Sequence, residues 1–128
     1  MMKISLSNLV DQARKIAETS NQRKKHVSVI LRNNKILAAE ANGFEVPSSY
    51  AYRGYRSLHS EIHAFMKVKQ RQDLVLYNFR FNNQGNLRIA KPCKLCLPWC
   101  ETIFKDIYYS TDEGTVVKLI KEISNVSS

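Results

Sequence analysis

Ser57-Leu58-His59-Ser60-Glu61-Ile62-His63 is the stretch from which the rest of this chain can be read, and its counterpart is Lys91-Pro92-Cys93-Lys94-Leu95-Cys96. His59 offers an imidazole, and Cys93 and Cys96 offer two thiolates at Cys-x-x-Cys spacing. Three such ligands fill three corners of a tetrahedral zinc and leave the fourth for water, which separates a catalytic zinc from a structural one. Glu61, two residues from the imidazole and not required as a ligand, can then take a proton from that water. Either half alone is a weak signal. The two together, in this order, are specific.

Outward from His59, residues Leu58 to Gln70 carry helical periodicity, with Ile62, Phe65 and Met66 as the buried stripe beside Leu58 and Val68. His59 and Glu61 then lie in the first turn. The preceding loop, Asn42 to Leu58, interleaves Tyr50, Tyr52 and Tyr55 with Arg53 and Arg56. Tyrosines for stacking and arginines for phosphate suit a single-stranded nucleic acid, although tyrosines in a long loop also cover core edges. Leu74 to Phe81 is apolar enough for a central strand, Asn82 to Asn86 is a turn, and Leu87-Arg88-Ile89 leads into the cysteine segment. A short helix carries Cys96, Leu97, Cys100, Ile103 and Phe104, and Pro98 just inside it predicts a kink or a late start.

Further out, His26 to Leu31 and Lys35 to Ala41 flank Asn33-Asn34, which reads as an antiparallel hairpin. Before it, Leu6, Leu9, Val10, Ala13, Ile16 and Ala17 form one stripe of an amphipathic helix that Ser5 or Ser7 can cap and Thr19-Ser20-Asn21 ends. At the other end, Ile107 to Ser110 is a strand, Asp112-Glu113-Gly114 a turn, and Thr115 to Leu119 an antiparallel return. A helix there would also satisfy the spacing of Val116, Ile120 and Ile123. Residues 124–128 read as a frayed tail.

The 128 residues make one domain, with 44% hydrophobic and 24% charged residues. Neither a bilayer-spanning run nor a signal peptide is legible, so an intracellular, reducing compartment is expected, no membrane partner is implied, and the cysteines read as thiols or ligands. The excess of 20 Lys and Arg over 11 Asp and Glu, +9 in all, favours anionic partners, nucleic acid or nucleotide first.

In element order and motif placement the chain resembles the cytidine deaminase-like superfamily, closest to its small free-standing members. The residues that carry the likeness are Lys25-His26 with Val29-Ile30, Asn42 at the close of the hairpin, His59-Ser60-Glu61, Lys91-Pro92-Cys93-Lys94-Leu95-Cys96 and Ile107-Tyr108-Tyr109-Ser110. The resemblance implies a three-layer α/β/α fold, with a five-stranded mixed sheet, helices on both faces and a C-terminal antiparallel hairpin. It implies Zn2+ held by His59, Cys93 and Cys96, with Glu61 as the catalytic proton carrier. It further implies a sugar contact from Asn42, and amides around Ser60 and Cys93 that polarise a substrate oxygen. Ser60 stands where alanine is common, and Ala90 where related small proteins often carry serine.

The activity implied is hydrolytic conversion of cytosine to uracil, leaning toward single-stranded nucleic acid contacted by Tyr52, Arg53, Tyr55 and Arg56. A free cytidine or deoxycytidylate nucleotide is the alternative, and adenine is not excluded by the metal chemistry. Relatives of this fold are monomers, dimers or tetramers, so homo-oligomerisation stays open. The competing reading recruits Cys100 as a fourth ligand, giving a closed structural site and a zinc-stabilised nucleic-acid-binding module without turnover. A His59/His63 pair at helical spacing is a second rival, but metalloproteases place Glu directly after the first histidine, where this chain has Ser60.

Overall fold

The computed structural model describes residues 4–18, 25–42, 60–69, 72–92 and 96–120. Helix α1 spans Leu6–Ala17; Ser5 caps it by accepting a hydrogen bond from the Asn8 amide at 3.2 Å. Leu9, Ala13 and Ala17 bury its stripe at a spacing of four, whereas Leu6, expected in that stripe, is 48% exposed at the first turn. Strands β1 (Lys25–Arg32) and β2 (Lys35–Ala41) form the expected hairpin. Asn33 and Asn34 both have positive φ, 52° and 64°, the left-handed pair that a tight type I′ turn requires and asparagine tolerates.

Helix α2 covers Ser60–Phe65 and is shorter than the periodicity predicted. Its end tightens, the amides of Lys67 and Val68 bonding the carbonyls of Ala64 and Phe65, one residue closer than in an α-helix. That overwinding rotates Val68 into the core at 3% exposure and leaves Met66, expected in the buried stripe, 46% exposed. Strand β3 (Val75–Phe81) follows. The residues leading on to the cysteines contain a two-residue strand, β4 (Leu87–Arg88), which turns back antiparallel on the end of β3. Asn82 Oδ1 accepts from the amides of Gln84 and Asn86 and shapes that turn, with Gly85 at φ 80°.

Helix α3 spans Leu97–Ile103 with Cys96 at its N-cap. The late start expected of Pro98 is what the structure shows. As the second helical residue, it has an amide position that needs no intrahelical partner. Strands β5 (Asp106–Ser110) and β6 (Val116–Lys118) pair antiparallel across a turn with Gly114 at φ 83°, so the C-terminal segment is the hairpin rather than the helix.

The sheet runs β2-β1-β3-β5-β6, with β4 beside the far end of β3. Only β3 and β5 are parallel, which gives the mixed sheet predicted, with β4 as a sixth strand not anticipated. Strand alternation sorts the core into two layers. Val27, Val29, Leu31, Phe79 and Phe81 face α1, while Ile30, Leu76 and Ile107 pack with Ile62, Phe65, Cys96, Cys100 and Phe104 of the α2/α3 side. Each fully buried Phe, Leu or Ile contributes roughly 1.5–3 kcal/mol. Helices therefore cover both faces. No helix among the described residues is long and apolar enough to cross a membrane.

Candidate functional site

Two polar residues interrupt the apolar face that meets α2 and α3. Ser28 of β1 and Asn78 of β3 are direct cross-strand partners, 0% and 3% exposed. Over them sits the start of α2, bringing Ser60 and Glu61, 1% and 6% exposed. Asn78 Nδ2 donates to Glu61 Oε2 at 3.1 Å, and Ser60 Oγ lies 3.3 Å from Glu61 Oε1 as its donor. Ser28 Oγ donates to Asn78 Oδ1 at 2.5 Å and stands 2.8 Å from Ser60 Oγ. With the Ser28 proton committed to Asn78, the hydroxyl contact between the serines uses the Ser60 proton, which Ser60 shares between Ser28 and Glu61. A carboxylate this deeply buried is held in place by such donors.

The Asn42 amide donates to the His26 carbonyl at 3.0 Å, and Asn42 Oδ1 accepts from the His26 amide at 3.1 Å, so this side chain also closes β1 onto β2. His63, on α2, places Nδ1 2.8 Å from the Ala41 carbonyl oxygen and Nε2 3.8 Å from the Glu40 carboxylate. One ring nitrogen thus clamps α2 to β2.

On the other side, Cys96 is fully buried where α3 begins, and Cys100 is fully buried one turn later, its amide bonded to the Cys96 carbonyl at 2.8 Å. Cys100 lies in the core layer where Phe65, Trp99 and Phe104 pack edge to face at 5.1–6.2 Å between ring centres. Ala90 is 1% exposed, its amide donating to the Ser110 carbonyl.

Of the residues expected to act together, Glu61, Ser60, Asn42 and Cys96 are described. His59, Cys93, Tyr52, Arg53, Tyr55 and Arg56 lie outside the described residues, as does Tyr50. Among the described residues no three metal-ligating side chains converge. Ser28 and Asn78 are not singled out by the sequence reading, though each left a signal as the one polar residue in the apolar or aromatic run of its strand, Val27 to Leu31 and Leu74 to Phe79.

This arrangement, a helix layer on each face of a mixed sheet, is shared with solved structures of the cytidine deaminase-like fold. Among solved structures, dCMP deaminase from the cyanophage S-TIM5 in complex with dCMP and dUMP matches with a TM-score of 0.60 at 22% identity, over 88% of this chain and 85% of that one. Its apo form matches with a TM-score of 0.60 at 23% identity, over 87% and 86% of the two chains. Neither a protein-family model nor a curated protein matches the chain.

Proposed function

We propose that this protein is a zinc-dependent hydrolytic deaminase that converts a free cytosine nucleotide, deoxycytidylate (dCMP) in the first instance, to the uracil nucleotide and ammonia. The observation that carries the reading is the buried Glu61 carboxylate, fixed by Asn78 and Ser60 at the start of α2, directly after His59. His59, Cys93 and Cys96 would hold the zinc; one imidazole and two thiolates beside a carboxylate outside the ligand set is a donor chemistry that fits it. When bound, zinc supplies the Lewis acidity that makes water nucleophilic near neutral pH.

The chain's own part is proton movement and orientation. As water adds to the amine-bearing carbon, Glu61 accepts its proton and passes it to the adjacent ring nitrogen. Glu61 then delivers the second water proton to the departing amine, so that cytosine and water become uracil and ammonia. Asn42 is assigned to the sugar, and the backbone amides at Ser60 and Cys93 to the base carbonyl oxygen.

The deoxycytidylate enzyme of similar fold supports the free nucleotide over single-stranded nucleic acid. A second support comes from Arg80. Two residues beyond Asn78 on β3, it shares Asn78's face and stands directly opposite Arg88 of β4. Like charges facing each other across strands are destabilising, and neither arginine pairs with a carboxylate among the described residues. A phosphate would relieve both. The +9 charge and the residues Tyr52, Arg53, Tyr55 and Arg56 are what favour a polynucleotide.

A mass-spectrometric assay offering deoxycytidylate, cytidine, single-stranded DNA and RNA side by side decides between them. Conversion of deoxycytidylate first, with weak salt dependence, supports this reading; conversion of polymer first, lost steeply with salt, overturns it. Burial of Cys100 in the aromatic layer favours a core role over a fourth ligand. Cys100→Ser is expected to keep its zinc; loss of zinc and fold together would favour the non-catalytic module.

A further inference from the structure

We infer that Asn78 is the positioning residue for Glu61: its amide, anchored by Ser28 on the neighbouring strand, fixes the carboxylate in the orientation that proton transfer requires. The inference rests on the deaminase reading of Glu61 given above. Ser28 and Asn78 lie in the central strands β1 and β3, flanked on the same face by Ile30 and Leu76. Polar side chains there are costly unless each atom is satisfied. Here both ends of the amide are used. Oδ1 accepts from Ser28 and Nδ2 donates to Glu61, and among the described residues the side-chain bonds of Ser28 and Asn78 stay within the cluster Ser28, Ser60, Glu61 and Asn78. Among the described residues, Glu61 is the charged group this cluster serves.

The arrangement has a sense as well as a site. An asparagine amide that turned over would present oxygen to Glu61. The Glu61 carboxylate, which only accepts, opposes this, and the Ser28 hydroxyl adds to the preference by donating to the oxygen end. Glu61 itself is carried by the short helix α2, whereas Asn78 belongs to the strand between β1 and β5. The 3.1 Å bond therefore ties a carboxylate on a helix to the middle of the sheet. Ser60, the neighbour of Glu61 on the same helix, reaches the sheet through Ser28 but meets the other carboxylate oxygen, Oε1, at the longer distance of 3.3 Å. Placement matters at this scale, since a displacement of about 1 Å in a reacting group costs about a hundredfold in rate.

The test is a kinetic cycle on deoxycytidylate with the full chain. Asn78→Ala, Asn78→Asp, Ser28→Ala and Glu61→Gln are measured singly, and Asn78→Ala also in the Glu61→Gln background, each with a melting curve. Asn78→Ala should lower kcat about a hundredfold with KM changed by less than about twofold, because an interaction acting on the reaction step was removed. Asn78→Asp keeps the acceptor for Ser28 but sets a carboxylate against Glu61, and should fall at least as far. Ser28→Ala removes the anchor at the oxygen end of the amide and should lower kcat by a smaller factor, about tenfold. With Glu61→Gln already present, Asn78→Ala should cause no further loss of kcat, which a merely structural residue would not produce. Should Asn78→Ala fail to fold, the folded Asn78→Asp and Ser28→Ala proteins decide. Wild-type kcat in those variants, or an equal loss with and without Glu61→Gln, overturns the inference. A wild type that deaminates neither deoxycytidylate nor cytidine removes the deaminase reading and this inference together; an active wild type with indifferent variants removes this inference alone.

Discussion

Glu61 is 6% exposed, and the sequence spacing that singled it out says nothing about how a carboxylate survives there. The structure answers with Asn78 and Ser60 as donors, and behind them Ser28. His59, Glu61, Cys93 and Cys96 stand out in the sequence as candidates because metal and proton chemistry impose short, local spacings. Ser28 and Asn78 do not, because they meet across 50 positions of sequence and only the β1–β3 register joins them. Removing one member of such a pair leaves the other short of a partner in the core, a cost of about 1–3 kcal/mol. Ser28→Ala is therefore expected to lower stability by about 1–2 kcal/mol in urea unfolding, even though the substitution itself removes a single oxygen.

At the scale of elements, most of the secondary structure was readable, and the differences share a physical cause. Helical periodicity predicted α2 to about Gln70, but α2 closes in tight turns at Phe65, exchanging Met66 for Val68 in the core. Val68→Ala should accordingly cost about 1–2 kcal/mol, while Met66→Gln should stay within about 0.5 kcal/mol, both read from denaturant midpoints. Strand β4 reads from the sequence as a connection because two residues carry no periodicity; the structure pairs it with β3 across a turn in which Asn82 bonds two amides and Gly85 has positive φ. That small strand brings Arg88 opposite Arg80. Arg80→Ala is expected to raise KM for deoxycytidylate about tenfold, with little change for cytidine, as loss of one charged hydrogen bond worth roughly 1.5–3 kcal/mol predicts. Equal losses on both substrates would mean that Arg80 does not meet the phosphate.

For the whole molecule, the predicted α/β/α layering stands, because alternation in β1 and β3 dictates two buried faces and the helices supply both covers. Far from Glu61, on the α1 face, Tyr77 stacks between Phe79 and Tyr108 at 6.2 and 4.6 Å. Burial first, and then the neighbouring Tyr108 and Asp106, push its hydroxyl above the ordinary value of 10.0. The fold thus resists the ionised phenol. Its contribution is intact below about pH 10 and is lost as pH rises from there through the raised value. Melting curves from pH 8 to 11 should show Tyr77→Phe losing less stability than wild type at the alkaline end, and parallel curves would contradict that sign.

Deamination is the activity proposed from the fold, the buried carboxylate and the sequence of the cysteine segment. The measurement is the conversion of deoxycytidylate by purified, zinc-loaded protein, followed by mass spectrometry for the product one mass unit heavier, beside Glu61→Ala at matched zinc content. We expect turnover by the wild type with about one zinc per chain and a loss of at least about a hundredfold in Glu61→Ala. Unchanged activity in Glu61→Ala, or a zinc-replete wild type that leaves every cytosine substrate intact, would contradict it.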